Sequence, residues 1–116
     1  MYKLDQVISE LAQLEKLIGY APIVIGSSAL VLHGVIDYCN DIDVVVKPKD
    51  YNIASSIPGI DPGNGSYEMP FTRWDENKDS VMSLPDLQLF YRTLGRPKDH
   101  IKLELIKNFL NQEATV

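Results

Sequence analysis

Two short stretches carry side chains able to do chemistry. Asp41-Ile42-Asp43 sets two carboxylates two residues apart at the head of the apolar run Val44-Val45-Val46. On a strand, residues two apart share a face. Both acids therefore project together, and Ile42 goes to the other side. Like charges held close are costly unless a cation neutralises them. Mg2+ prefers carboxylate and phosphate oxygens, and two such ions roughly 3.5–4 Å apart can clamp the attacking and leaving oxygens of a phosphoryl transfer. Upstream, Gly26-Ser27-Ser28 follows the β-branched run Ile23-Val24-Ile25. A helix that starts there presents unpaired backbone N–H groups and a positive dipole end, both suited to a phosphate. Gly26, lacking a side chain, lets the backbone approach a ligand closely. Alone, the first stretch is an ordinary solvated strand end and the second an ordinary strand-to-helix turn. Their order in one chain is the informative part.

The elements that must position these residues follow from periodicity. Leu4, Val7, Ile8, Leu11, Leu14, Leu17 and Ile18 recur at three- and four-residue spacing and predict an amphipathic helix over 1–19 that ends near Gly19. Ala21 to Gly26 reads as a buried strand. Ser27 to His33 reads as a helix, with Ser27 or Ser28 as its N-cap and Gly34 as its stop. Asp41 to Val46 is a second strand, closed by Lys47-Pro48. A short helix is expected over about Asp50 to Ile57. Ile60 to Gly65 holds Pro, Asn and two Gly and reads as a loop. Ser66 to Trp74 reads as a strand that Pro70 pushes toward an edge or bulge. Asp75 to Asp79 is a charged turn, and Ser80 to Ser83 a last brief strand. Ser83 caps a helix with Pro85 in its first turn, which stops at Gly95, and Pro97-Lys98-Asp99 opens the final helix. The fold class is α+β (α/β-type): a small mixed sheet flanked by helices, as a single domain over 1–116 with the C-terminal helices at 84–110.

The run Ile23-Val24-Ile25-Gly26-Ser27-Ser28-Ala29-Leu30-Val31-Leu32-His33-Gly34, followed by Asp41-Ile42-Asp43, resembles the signature of the nucleotidyltransferase superfamily related to DNA polymerase β. It is most similar to the minimal prokaryotic members, including antitoxins of toxin–antitoxin systems. Ser83-Leu84-Pro85-Asp86-Leu87 and Gly95-Arg96-Pro97-Lys98-Asp99 resemble the C-terminal helices of those proteins. The resemblance implies that Gly26 and Ser27, with Ser28, hold the β- and γ-phosphates of ATP or another NTP. It implies that Asp41 and Asp43 bind Mg2+, and that an acceptor hydroxyl attacks the α-phosphate and releases pyrophosphate. A third carboxylate on the neighbouring strand usually completes the metal site. Glu68 is the candidate here, where the family usually has Asp, with Asp75 and Asp79 as weaker alternatives. Where relatives often place an Arg and a Thr before the acid pair, this chain has Asp37-Tyr38-Cys39-Asn40. The alternative expectation is therefore a module of the same fold that binds a nucleotide or partner protein with weak or lost catalysis. A third is a structural domain with Asp41 and Asp43 merely solvated.

Other polar residues carry less. Arg92, Arg96 and Lys98 cluster at the last inter-helix turn. Arg96 and Lys98 could neutralise a triphosphate, or the cluster could simply charge a solvated turn. Asp99 reads as an N-cap or a partner of Arg96. His33 reads as a packed or capping residue, and His100 as a surface one. Trp74 and Tyr67 could stack on a base, with packing the safer reading. Arg73 has no assigned part. Cys39 has no Cys or His partner nearby in sequence, which weighs against a metal or nucleophile role.

Composition bounds the rest. The net charge of −5 over 116 residues weighs against sequence-independent binding of duplex DNA, which relies on Lys and Arg. One cysteine rules out a disulfide within the chain and makes a cytoplasmic location the default. Neither a signal peptide nor a membrane span is legible. The acceptor, whether a protein, an RNA end or a small molecule, has no domain of its own here, so a second protein is the expected source.

Overall fold

A computed structural model describes residues 1–63 and 74–114. The strand expected over Ser66 to Trp74, and with it Tyr67, Glu68 and Arg73, lies outside the described residues except at Trp74. The chain is α+β. Among the described residues a three-stranded mixed sheet and a separate two-stranded antiparallel pair stand among five α-helices.

The central sheet has the order β2(Ile23–Val24), β4(Ile42–Val45), β5(Ile60–Pro62). β2 runs antiparallel to β4, with Val24 opposite Val44. β5 runs parallel to β4, with Asp61 beside Asp43. Val81 bridges Val24 in parallel on the free side of β2, so the brief strand expected over Ser80–Ser83 is an isolated bridge. The second pair joins β1(Tyr2–Lys3) to β3(Tyr38–Cys39). Neither strand is signalled by a two-residue pattern in the sequence.

Two expectations need correction here. Ile60 to Pro62 is a strand and not part of a loop. Among the described residues β5 is the last strand of its sheet, and an edge position tolerates Pro62 because an absent N–H costs no ladder bond there. The strand expected over Ala21–Gly26 is two residues long, because the backbone turns at Gly26.

The helices follow the apolar spacing. α1(Leu4–Ile18) buries Val7 and Leu14 completely and ends on a left-handed Gly19 whose N–H donates to the Glu15 carbonyl at 2.8 Å. α2(Gly26–Leu32) packs on β4 through the buried Ala29, Leu30 and Val31. A 3-10 turn over Pro48–Asp50 leads into α3(Tyr51–Ser55), so that helix is shorter than the 50–57 expected. α4(Leu84–Leu94) starts where Ser83 Oγ accepts from the Asp86 N–H at 3.3 Å and stops at Gly95. α5(Pro97–Ala114) packs against α4. Each fully buried Leu or Ile in this core, such as Leu30, Ile42, Leu87 and Ile106, is worth about 1.5–3 kcal/mol of transfer free energy. Among the described residues no helix is long and apolar enough to cross a membrane.

Candidate functional site

β4 spans Ile42–Val45, so Asp41 stands just before the strand expected over Asp41–Val46, and Val45, on the face of Asp43, is buried. Ile42 and Val44 are fully buried against the core, while Asp43 lies half-buried and Asp41 exposed. The parallel register then adds an acid that sequence reasoning missed. Asp61, on β5, is the register partner of Asp43, and adjacent partners in a parallel ladder share a face. The missing signal was β5 itself: Pro62 and Gly63 gave the stretch the composition of a turn.

Asp43 is the electrostatic centre of this face. Its carboxyl is pushed up to about 6, first by burial and then by the negative charges of Asp61 and Asp41. Lys102 and Lys98, both on α5, pull in the opposite direction. Lys102 is itself half-buried, and that burial lowers its pKa while Asp99 and Asp43 oppose the change. Acids from β4 and β5 therefore meet cations from α5. Lys98 was expected to serve a phosphate and is exposed; Lys102 was not foreseen, because its place in a helical pattern marks it only as a solvated position.

The turn at Gly26 fits against Asp43. Gly26 has φ +61, and a Cβ placed on it would stand 2.7 Å from Asp43 Oδ2. Both facts require glycine: the conformation is one L-residues avoid, and the space is already taken. Ser27 and Ser28 do not cap α2 as expected; the N-cap is Ile25, with no side-chain cap bond. The reason is that Ser28 is fully buried and turned to the sheet. Its Oγ donates to the Ile25 carbonyl at 2.8 Å and lies 3.2 Å from the Asp43 carbonyl, and it accepts from the Asp43 N–H at 3.1 Å. The Ile25 N–H donates to the Asp43 carbonyl at 3.0 Å. Ser28 thus fastens the turn to the acid strand. Ser27 remains half-buried beside it.

One further group was not foreseen. Tyr91, on α4, is 1% exposed. Burial, then the charges of Asp43 and Asp99, push its ionisation well above the usual phenol range, while the Ser27 side chain and the Arg96 charge act in the other direction. Lys102 Nζ lies 5.2 Å from the centre of its ring. In sequence Tyr91 is indistinguishable from the apolar members of α4.

The remaining candidates have structural duties. Arg96 is held by Asp99 through two side-chain bonds, Nε to Oδ2 at 2.7 Å and Nη2 to Oδ1 at 3.0 Å, and Asp99 Oδ2 also accepts from the Arg96 N–H at 3.0 Å. Arg92 and His100 are exposed. His33 Nε2 pairs with the Met82 carbonyl at 2.8 Å, the packed role expected of it. Trp74 stands edge-on to Tyr20 at 5.0 Å, with Lys47 Nζ 4.5 Å from its ring centre. Tyr20 donates to Asp50 at 2.7 Å, and its own ionisation is pushed up to about 12, chiefly by burial. Cys39 is buried and free, with burial, Asp43 and Asp41 all raising its pKa. A cavity of about 230 Å³ lined by Ile23, Asn77, Met82, Ser83 and Asp86 shares no residue with the acid face.

The donor chemistry of Asp41, Asp43 and Asp61 suits Mg2+, since all three supply carboxylate oxygens. As the side chains lie, no three His, Cys, Asp or Glu residues among the described ones converge on a single metal position. Asp75 and Asp79 form part of an exposed turn, where Asp75 Oδ1 accepts from the Asn77 N–H at 2.9 Å. Comparison with protein-family models, with curated proteins and with solved structures returned no match.

Proposed function

We propose that this chain is a nucleotidyltransferase-type domain, related to the DNA polymerase β superfamily, that binds Mg2+ and ATP or another NTP. The observation that carries the reading is the seating of Asp43 against Gly26, with Asp61 beside it on the next strand and Lys98 and Lys102 acting on it from α5. An acidic set suited to a divalent cation thus adjoins a side-chain-free turn and two ammonium groups suited to phosphate oxygens.

Each residue has a part in that reading. Asp41, Asp43 and Asp61 are the carboxylates that would hold the metal, which would neutralise charge on the phosphates. Gly26 leaves room for the triphosphate, and Ser27 offers its hydroxyl. Lys98 and Lys102 balance charge on the departing pyrophosphate. In the transfer, an acceptor hydroxyl oxygen bonds to the α-phosphorus and the bond from the α-phosphorus to the bridging oxygen breaks. The electron pair leaves with pyrophosphate, and a carboxylate of the acidic set takes the acceptor's proton. The acceptor would come from a second molecule; an antitoxin-type protein would find it on a partner protein in the cytoplasm.

The lack of a converged three-ligand group among the described residues favours a second reading, in which the domain binds nucleotide without turning it over. Thermal melting with Mg2+ and ATP, on the wild type and on Asp41→Asn/Asp43→Asn, tests the binding that both require. At a ligand concentration one hundred times Kd, binding stabilises the fold by about 2.7 kcal/mol. The expected result is a rise that needs both metal and nucleotide and is absent in the double variant. No shift in the wild type at millimolar ligand overturns both readings. A shift without pyrophosphate release in the presence of candidate acceptors selects the second.

A further inference from the structure

The segment that bridges β2 leaves its own outer edge open. The Val24 N–H donates to the Ser80 carbonyl at 2.8 Å, and the Met82 N–H donates to the Val24 carbonyl at 2.9 Å. Both neighbours of Val81 thus use these groups on β2. In extended chain the residue between them turns its N–H and C=O to the opposite edge. Among the described residues the Val81 N–H and carbonyl make no hydrogen bond. Val81 is half-buried, so this edge meets solvent. Unpaired backbone groups on a sheet edge are a template for another extended chain.

Two cavities flank the edge, and Val81 lines both. The first, of about 230 Å³, has Asp79, Asp86 and Lys78 on its wall together with Ile23 and Met82. The second, of about 100 Å³, is lined mainly by Leu11, Ala21, Pro22 and Val24, with Glu15 and Ser80. Ile23 belongs to the first and Val24 to the second, and successive strand residues face opposite sides of a sheet. A strand added beside Val81 sends its side chains alternately to those two sides. Asp79 and Asp86 make no ion pair among the described residues, and together they outweigh the charge of Lys78. The larger cavity therefore suits a long basic side chain, whose stem can lie on Ile23 and Met82 while its head meets the acids. The smaller one suits a short apolar side chain. A second copy of this chain fits poorly, because it brings its own Asp79 and Asp86 to an edge that is already acidic.

We propose that the Val81 edge docks an extended segment of a partner protein in which basic and small apolar residues alternate. The segment pairs its backbone with Val81, sets a basic side chain beside Asp79 and Asp86, and sets its apolar neighbour against Pro22 and Val24. The two cavities share no residue with the acid face, so this docking does not depend on nucleotide binding.

The probe is a capped hexapeptide of alternating arginine and valine, titrated into the isotope-labelled full chain. Amide chemical shifts give its affinity, and hydrogen exchange reports on the Val81 amide. Saturable binding is expected, with exchange at Val81 slowed about tenfold or more at saturation. The same peptide methylated on every backbone nitrogen keeps its side chains and loses its donors. A block peptide with all its arginines before its valines keeps the charge and loses the alternation. Each should bind about tenfold more weakly or worse. Asp79→Asn/Asp86→Asn should weaken binding of the alternating peptide about three- to tenfold. Unchanged exchange at Val81 under saturating peptide overturns the proposal. Equal affinity for the methylated or the block peptide reduces the effect to charge attraction and overturns it as well. Unchanged affinity in the double variant overturns the placing of the basic side chain. Slower exchange at Val81 on raising the protein concentration alone assigns the edge to a second copy and overturns the partner.

Discussion

Asp43 Oδ2 occupies the space in which a side chain on Gly26 would begin, 2.7 Å from the ideal Cβ position. The acid and the turn therefore define each other: moving one requires moving the other.

Gly26→Ala is expected to destabilise the fold on two counts. The left-handed backbone at φ +61 costs a non-glycine residue about 1–3 kcal/mol, and the new methyl displaces the carboxylate. Urea unfolding of Gly26→Ala in the wild-type and Asp43→Ala backgrounds separates the two. The penalty should shrink in the second background by the steric part alone. An identical penalty in both would show that the contact carries no energy.

The pH dependence of Asp43 has a definite sign. Its folded pKa of about 6 lies above the usual value of 3.8. The folded state thus binds the proton more tightly, and stability contributed by the protonated acid is complete below about pH 4 and lost as pH rises through 6. Asp43→Asn should be more stable than wild type above pH 7, by on the order of 2–3 kcal/mol. The gap should close toward pH 4. Denaturant midpoints at pH 4.5, 6 and 7.5 check this. A variant less stable than wild type at every pH would contradict it.

Asp99 should behave oppositely. Its carboxyl is held below the usual range, first by the Arg96 side-chain hydrogen bond. Its contribution is present above the unfolded pKa and lost as pH falls through the folded one. Asp99→Asn is expected to lower stability at neutral pH and to flatten the acid limb of the stability curve below about pH 4. Acid titration followed by far-UV circular dichroism gives the comparison. An unchanged acid limb would show that other carboxylates govern acid unfolding.

Ser28→Ala removes a hydroxyl that is fully buried and serves both the Ile25 carbonyl and the Asp43 N–H. Leaving that N–H unpaired should cost about 1–3 kcal/mol. Amide hydrogen exchange should show faster opening at Asp43 specifically, while the Lys47 amide, which donates to the Tyr20 hydroxyl, keeps wild-type behaviour. Uniform acceleration across the chain would mean that Ser28 acts only through global stability.

Much of the fold was legible because long helices announce themselves. Val7 and Leu14, Leu87 and Tyr91, and the terminators Gly19 and Gly95 fix α1 and α4 by spacing and left-handed ends alone. The strand that carries Asp43 was legible for a similar local reason, the β-branched apolar run Val44-Val45-Val46, although it starts only at Ile42. What escaped was non-local. Asp61 gains meaning only through the register that sets it beside Asp43, and nothing in Ile60-Asp61-Pro62 states that register. Tyr91 and Lys102 look like an apolar and a solvated helix position until α4 and α5 are folded against the sheet. Ser28 resembled a capping residue because Ser before an apolar helix usually is one; its burial against β4 overrode the local preference.

The acids at positions 41, 43 and 61 come from the middle of the chain and the cations at 98 and 102 from α5. On a ribosome, the acidic half is finished some forty residues before the first of these lysines appears. Until then Asp43 has only its like-charged neighbours and none of the α5 charges that counter them. A ligand that needs both sets would therefore engage only a chain in which α5 has already been made and folded.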